Sequence, residues 1–251
     1  MTEINDILGH FDGITLEEMD SVKLLDRVDR KYIFPVTKLL HLLGYLKENY
    51  RILEVNGTRL NRYETLYYDT ADHRFYLQHH NGKLNRYKVR SRSYLDSGQS
   101  FFEIKFKNNK GRTIKDRIKL KEFTEEIQDI ALRLLAGYSV LNPESLKPAL
   151  RVYFSRITVV NKAFTERVTL DLNLHFRQQE SEKDYPGLVI AELKQAKPGT
   201  SAFHSLLRQN HISTFPVSKY CLGISSLNRQ IKQNNFKQKL IHINKIDHEV
   251  L

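Results

Sequence analysis

The clearest pattern in the chain is an alternation with a period of two. From Arg86 to Tyr94 the residues run Arg-Tyr-Lys-Val-Arg-Ser-Arg-Ser-Tyr, so Arg86, Lys88, Arg90 and Arg92 recur at every second position and share one face of a strand. The next two segments repeat it. Glu103, Lys105 and Lys107 alternate with Phe102, Ile104 and Phe106, and Thr113, Lys115, Arg117 and Lys119 alternate with Ile114, Ile118 and Leu120, with Asp116 the exception. Turn signals at Asn81-Gly82 and Asn109-Lys110-Gly111 separate these runs. The pattern predicts antiparallel strands, each apolar on one side and cationic on the other. Like charges two apart on a strand lie roughly 6–7 Å from each other and repel by about 0.5–1 kcal/mol per pair in water, and by more where water is scarce. A solvated outer face would account for any one strand. Three neighbouring strands of one sign favour an anion-binding wall, because an ordinary surface mixes both signs.

Other stretches change period. Thr15 and Glu18 have capping-box spacing at the start of a short helical pattern through Leu16, Met19, Val22, Leu24 and Leu25. Val36, Leu39, Leu40, Leu43 and Leu46 keep helical spacing, and residues 59–69, rich in Tyr and Thr, read as a strand. Thr124 followed by Glu125 and Glu126 reads as the N-cap of a helix that buries Ile127, Ile130, Ala131, Leu134 and Leu135. Strands are expected at residues 150–160, 164–176 and 188–194, and helices at 201–210 and 218–229. In the second of these strands Arg167, Thr169, Asp171, Asn173 and His175 would share a face opposite Val168, Leu170, Leu172, Leu174 and Phe176; in the third, Glu192 and Lys194 project together. The fold expected is α+β: a closed or nearly closed antiparallel barrel of about eight strands, with helices at its periphery and ends and polar faces lining a passage. A single domain would occupy residues 1–231, followed by a weakly ordered polar tail over 232–251.

Charge narrows the partners. Forty Lys and Arg against 29 Asp and Glu give a net charge of +11, which suits nucleic acid, phosphorylated ligands or an anionic membrane surface. Tyr87, Val89 and Phe102 lie opposite the cations, so no ring stands ready to stack on bases and nucleic acid is not expected. Gly-x-x-x-x-Gly-Lys-Ser/Thr and strand-to-helix Gly-x-Gly-x-x-Gly loops are both missing, so side chains rather than a backbone cradle must hold any phosphate. Glu192 has two readings: a structural counter-ion, or the hard oxygen ligand of a divalent metal that also touches phosphate. His79 and His80 would face opposite sides of a strand, a poor metal pair. The lone cysteine, Cys221, excludes an internal disulfide and a thiolate cluster and reads as a small buried residue. No signal peptide or run of 18 apolar residues is visible, so a cytoplasmic protein without a transmembrane segment is expected, with attachment to a membrane through a partner still open.

An ordered set of short motifs completes the reading: Arg30-Lys31-Tyr32, Tyr67-Tyr68-Asp69-Thr70, Arg90-x-Arg92-x-Tyr94, Glu103-x-Lys105, Gly111-Arg112-x-x-Lys115-x-Arg117, Arg167-x-x-Leu170-Asp171, Glu192-Leu193-Lys194 and Ser218-Lys219-Tyr220. Their order and spacing, over residues 26–227, resemble the catalytic domain of the vacuolar transporter chaperone (VTC) polyphosphate polymerases, within the triphosphate tunnel metalloenzymes. The resemblance implies a tunnel whose cations hold a triphosphate or a growing polyphosphate, with ATP as phosphoryl donor and Mn2+ or Mg2+ as cofactor. By matching position, Lys31, Arg90, Arg92, Lys105, Arg156, Arg167 and Lys219 would be the catalytic cations and Glu192 the metal ligand; Lys88, Lys115, Arg117 and Lys194 fit the same substrate-binding face. Two departures stand out. Arg27-Val28-Asp29-Arg30-Lys31 occupies the place where many tunnel enzymes carry Glu-x-Glu-x-Lys, and Phe154-Ser155-Arg156 replaces Tyr-x-Arg. The first weakens a two-metal hydrolytic reading. The alternatives are a metal-dependent triphosphatase or polyphosphatase on the same tunnel, and a polyphosphate-binding module without catalysis.

Overall fold

The computed structural model of the chain describes residues 2–21, 28–195 and 200–249. Val22, Leu24, Leu25 and Arg27, which figured in the sequence expectations, lie outside these residues. In chain order the first elements are α1 (Thr2–Gly9), β1 (Asp12–Ile14), α2 (Leu16–Ser21), β2 (Val28–Pro35), α3 (Leu39–Asn49), β3 (Tyr50–Leu53), β4 (Asn61–Asp69) and α4 (Arg74–His80). Then come β5 (Arg86–Tyr94), β6 (Gln99–Lys107), β7 (Thr113–Leu120), α5 (Asp129–Ala136), β8 (Lys147–Asn161) and β9 (Glu166–Gln178). The chain ends with β10 (Ser181–Tyr185), β11 (Leu188–Gln195), α6 (Ala202–Gln209), α7 (Lys219–Leu227) and α8 (Lys237–His248).

One large sheet runs β2-β11-β9-β8-β4-β5-β6-β7, every neighbouring pair along it antiparallel. The path has the eight strands expected, but it is not a closed barrel. No pairing among the described residues joins β2 to β7, and the sheet curls into an open, tunnel-like trough. A physical reason lies at the outer edge of β2, where Tyr32 bridges Thr214 and the Phe215 N–H donates to the Lys31 carbonyl at 2.7 Å. That edge is already taken, so β7 has nothing to pair with.

The period-two patterns sort their residues across this sheet. On the convex side, α1, α3 and α6 bury Tyr32, Phe34, Val168, Leu170, Ala191 and Leu193, while α5 covers Leu66, Tyr68, Val89, Phe102 and Ile104. Each such Val, Leu, Ile or Phe side chain contributes about 1.5–3 kcal/mol of burial. With its apolar residues held outward by the helices, each strand turns its charged residues into the trough. Asp116, the exception in the pattern, faces the convex side and accepts the Tyr138 hydroxyl.

Four local expectations change. At Asn173 the backbone enters the left-handed region with φ of 54°, and the β8–β9 register shifts beside it. The alternation therefore inverts: Leu174 and Phe176 turn inward, and His175 turns outward to Asp184 at 2.7 Å. The inverted residues pack with Leu150, Val152, Phe154 and the α7 residues Tyr220, Cys221, Leu222 and Ile224. Contact is so close that a Cβ at Gly223 would come within 2.5 Å of Leu150 and of Phe176. His79 and His80 lie on a helix rather than a strand, because the buried Asp69 carboxylate accepts the Phe75 and Tyr76 N–H groups (2.8 and 3.0 Å) and starts α4. Thr124 is not the N-cap of α5, which begins after Gln128; its hydroxyl donates to the Glu126 carbonyl. The C-terminal residues expected as a loose tail form α8, which buries Ile243 and Ile246 and accepts the Gly187 N–H on Asp247 at 2.8 Å.

Candidate functional site

Three charged clusters line the trough. In the first, the register aligns Arg90, Glu103 and Arg117 across β5, β6 and β7, with Lys88, Lys105 and Lys115 in the adjacent row. Glu103 is fully buried and accepts Arg90 Nε at 2.6 Å, Arg90 Nη2 at 2.5 Å and Lys115. Burial alone would raise its carboxyl pKa; Arg90, Arg92 and Lys115 outweigh it and hold the group well below the usual range. Arg92 donates to Thr65 Oγ1 at 3.1 Å. Lys105 forms no such contact among the described residues, and the Arg90 charge, with burial added, pushes its ammonium well below the ordinary value.

In the second cluster Asp171, 2% exposed, receives a two-pronged contact from Arg156 (Nε–Oδ1 2.5 Å, Nη2–Oδ2 2.9 Å) and a third from Lys219. Lys219 is the first residue of α7, whose N-cap Ser218 accepts the Cys221 N–H. Lys31 Nζ donates to the Val217 carbonyl at 3.0 Å and Lys88 Nζ to Ser218 Oγ at 2.8 Å, so cations from two sides of the trough hold the entry to this helix. Sequence reasoning passed over Asp171 as a site residue, although its parity with Arg167 was visible.

The third cluster joins β2, β11 and β9. Lys31 faces Glu192 in register, Lys194 faces Asp29 and Arg167, and Lys194 contacts Glu192 directly and Asp29 at 3.7 Å. Burial would raise the Glu192 carboxyl, but Lys31 and Lys194 bring it far down. An aromatic floor connects the second cluster to the first. Tyr63 and Phe154 stack at 5.0 Å, with Arg156 over both rings (5.0 and 5.2 Å), Arg92 over both at 5.8 Å and Lys219 Nζ 4.7 Å from Phe154. Phe154, standing where Tyr was expected, thus supports cations and offers no hydroxyl.

All twelve residues singled out from the sequence therefore border the trough: Lys31, Lys88, Arg90, Arg92, Lys105, Lys115, Arg117, Arg156, Arg167, Glu192 and Lys194 from strands, and Lys219 from α7. Arg117 lies at the exposed margin, 4.7 Å over the Phe101 ring. Tyr67, which sequence reasoning did not select, accepts Arg90 Nη1 at 3.3 Å. Burial would raise its phenol; Arg90, Arg92 and Lys88 overcome that and bring it down to about 8.

No group of three or more His, Cys, Asp or Glu forms a metal cage among the described residues. The buried carboxylates Glu103 and Asp171 are each held by two cations. Glu192 and Asp29 are more open, with side chains 24% and 40% exposed. Such hard oxygen donors fit a divalent ion that shares its shell with substrate phosphates. No described helix is long and apolar enough to cross a membrane.

A curled antiparallel sheet with a cation-lined interior and helices outside defines an α+β protein with an open, tunnel-like trough. The model of the VTC domain family matches residues 26–228, and the chain belongs to that family. Among solved structures it is similar to a candidate adenylyl cyclase from Hippeastrum, described as having a dominant triphosphatase activity (12% identity, TM-score 0.53, covering 80% of this chain and 97% of that one). It is also similar to a candidate adenylate cyclase from Bacillus halodurans (17% identity, TM-score 0.50, covering 77% and 94%). At these identities the likeness is one of fold. No match was found among curated proteins.

Proposed function

We propose that the protein is an ATP-dependent polyphosphate polymerase, which transfers the terminal phosphoryl group of ATP to a polyphosphate chain in the trough and releases ADP. The observation that carries this reading is the convergence of Arg90, Arg92, Arg156, Lys31, Lys105 and Lys219 from opposite walls in a chain of the VTC domain family. Phosphoryl transfer needs positioning and neutralisation of charge more than acid–base chemistry. The arginine forks suit pairs of nonbridging oxygens, and the lysines supply adjustable point charges. Glu103 and Asp171 hold these heads in place before substrate arrives. Lys88, Lys115, Arg117, Arg167 and Lys194 extend the grip. Glu192, with Asp29 beside it, would hold Mn2+ or Mg2+, which supplies further neutralisation of phosphate charge when bound. The catalytic unit is the single domain, and a cytoplasmic location fits its partners, ATP and inorganic polyphosphate.

A triphosphatase is the second reading, favoured by the activity described for the Hippeastrum protein. Against it, Glu103 and Asp171 are each locked by two cations and poorly placed to activate water. Purified protein incubated with ATP and Mn2+ separates the readings. Long anionic polymer with ADP supports the polymerase, free phosphate without polymer supports the hydrolase, and binding without turnover would leave only a binding module. Arg90→Ala and Glu192→Ala are expected to abolish turnover, with the fold checked by circular dichroism; full activity in both would remove the trough from consideration.

A further inference from the structure

The cations continue past the centre of the trough. Along β5 and β6, Arg86 pairs in register with Lys107, one step beyond the Lys88–Lys105 pair. The turn between β6 and β7 then adds Lys110 and Arg112, both exposed. It is a fixed turn: the Asn108 N–H donates to the Arg112 carbonyl at 2.9 Å, and Asn108 Oδ1 accepts the Lys110 and Arg112 N–H groups at 3.0 and 2.9 Å. Gly111, with φ of 76°, permits the reversal.

None of Arg86, Lys107, Lys110 and Arg112 forms an ion pair among the described residues; Arg86 donates only to the Lys83 carbonyl, at 2.8 Å. On the outer surface Arg151 pairs with Glu64 and Glu125, Arg62 with Asp96 and Arg177 with Glu182, while scattered cations such as Lys183, Lys232 and Lys237 form no ion pair among the described residues. What sets the strip apart is that its cations stand in register with one another. The strip along β5, β6 and β7 is thus kept clear of acids from the inner Glu103 outward, and it follows the open edge of the sheet.

We infer that this strip, with the β6–β7 turn at its end, is a second binding segment, continuous with the trough, for the far part of a linear polyphosphate chain. The inference rests on the polyphosphate reading of the trough and extends it from a three-phosphate grip to a long-chain ligand. Arg90 and Arg86 are four strand residues apart, about 13 Å, and the turn lies farther out, beyond the reach of a triphosphate held at Arg90. A linear chain with a charge on every unit meets the whole strip. Nucleic acid fits less well, because the rings nearest the outer half of the strip, Tyr87 and Phe106, stack on each other at 4.7 Å on the other side, while Tyr94 and Phe101, on the cation side at its inner end, pack edge to face and Phe101 lies beneath Arg117. Stacking platforms for bases are not available there.

The test is equilibrium binding of tripolyphosphate and of long-chain polyphosphate to the wild-type chain and to Lys107→Gln/Lys110→Gln/Arg112→Gln. Removing three cations should weaken long-chain binding about tenfold near 0.1 M salt and flatten its salt dependence. Affinity for tripolyphosphate should stay within about twofold, which also reports that the trough is folded. Lys183→Gln/Lys232→Gln/Lys237→Gln, which loses the same charge elsewhere, should bind the long chain like the wild type. Equal long-chain affinity in the strip variant and wild type would overturn the inference, as would an equal loss in the control or an RNA oligonucleotide displacing polyphosphate at equal concentration. If the wild-type chain binds neither polyphosphate, the underlying reading fails as well, an outcome distinct from losing only the length dependence.

Discussion

The two walls of the trough balance their charge differently. On the β8–β9–β11–β2 wall, Arg156 and Lys219 share Asp171, and Lys194 has both Glu192 and Asp29. On the β5–β6–β7 wall Glu103, the one inward carboxylate among the described residues, serves Arg90 and Lys115 while Lys88, Arg92, Lys105 and Arg117 crowd around it. The first wall is therefore pre-organised without ligand. The second holds a surplus of positive charge that only an anion can relieve, so its arrangement trades stability for binding.

The largest effect that would test this contrast is expected from Asp171→Ala. It leaves Arg156 and Lys219 buried without a counter-ion and should cost about 3–5 kcal/mol in denaturant unfolding; a loss below about 1 kcal/mol would erase the distinction between the walls. Glu103→Gln should cost about 2–3 kcal/mol. Much of that loss should return on saturation with tripolyphosphate, as seen in the melting temperature, because the anion replaces the missing charge.

Tyr67 gives an effect of at most about 2.7 kcal/mol. Its folded pKa, about 8, lies below the ordinary phenol value of 10, so between pH 8 and 10 the folded chain binds fewer protons than the unfolded one. Stability from this group therefore rises with pH through that window and is lost as pH falls through 8. Compared with Tyr67→Phe, the wild-type chain should show this extra rise, and bound tripolyphosphate should shift the phenolate absorbance change to higher pH. The smallest change is expected from Lys105→Met: relief of repulsion by Arg90 should stabilise the free protein by about 0.5–1 kcal/mol while weakening tripolyphosphate binding. Destabilisation instead would show that the β5–β6–β7 wall carries no surplus of charge.

The cationic wall was legible because a strand repeats every two residues and its apolar positions must all meet the same helices; Phe102 and Ile104 beneath α5 put Lys105 in the trough. The same rule misplaced His175, since one left-handed residue, Asn173, reverses parity for everything after it. Asp171 and Glu103 were visible as residues but not as anchors, because an anchor is defined by cations from other strands and from α7. The position of α8 was hidden too: its polar composition outweighed the isolated Ile243 and Ile246 that fasten it.

What the amino-acid order alone determined is the two-sided character of each strand, the sign of its inner face and the capping of local elements such as Thr15 with Glu18, whose reciprocal hydrogen bonds form as expected. These depend on neighbours within a few residues. Only the tertiary structure decided that the sheet stays open between β2 and β7, that α7 fills one end of the trough, and which cations receive a carboxylate partner. Those outcomes arise from competition among distant segments for the same edge, volume and charge, and no local pattern encodes which of them wins.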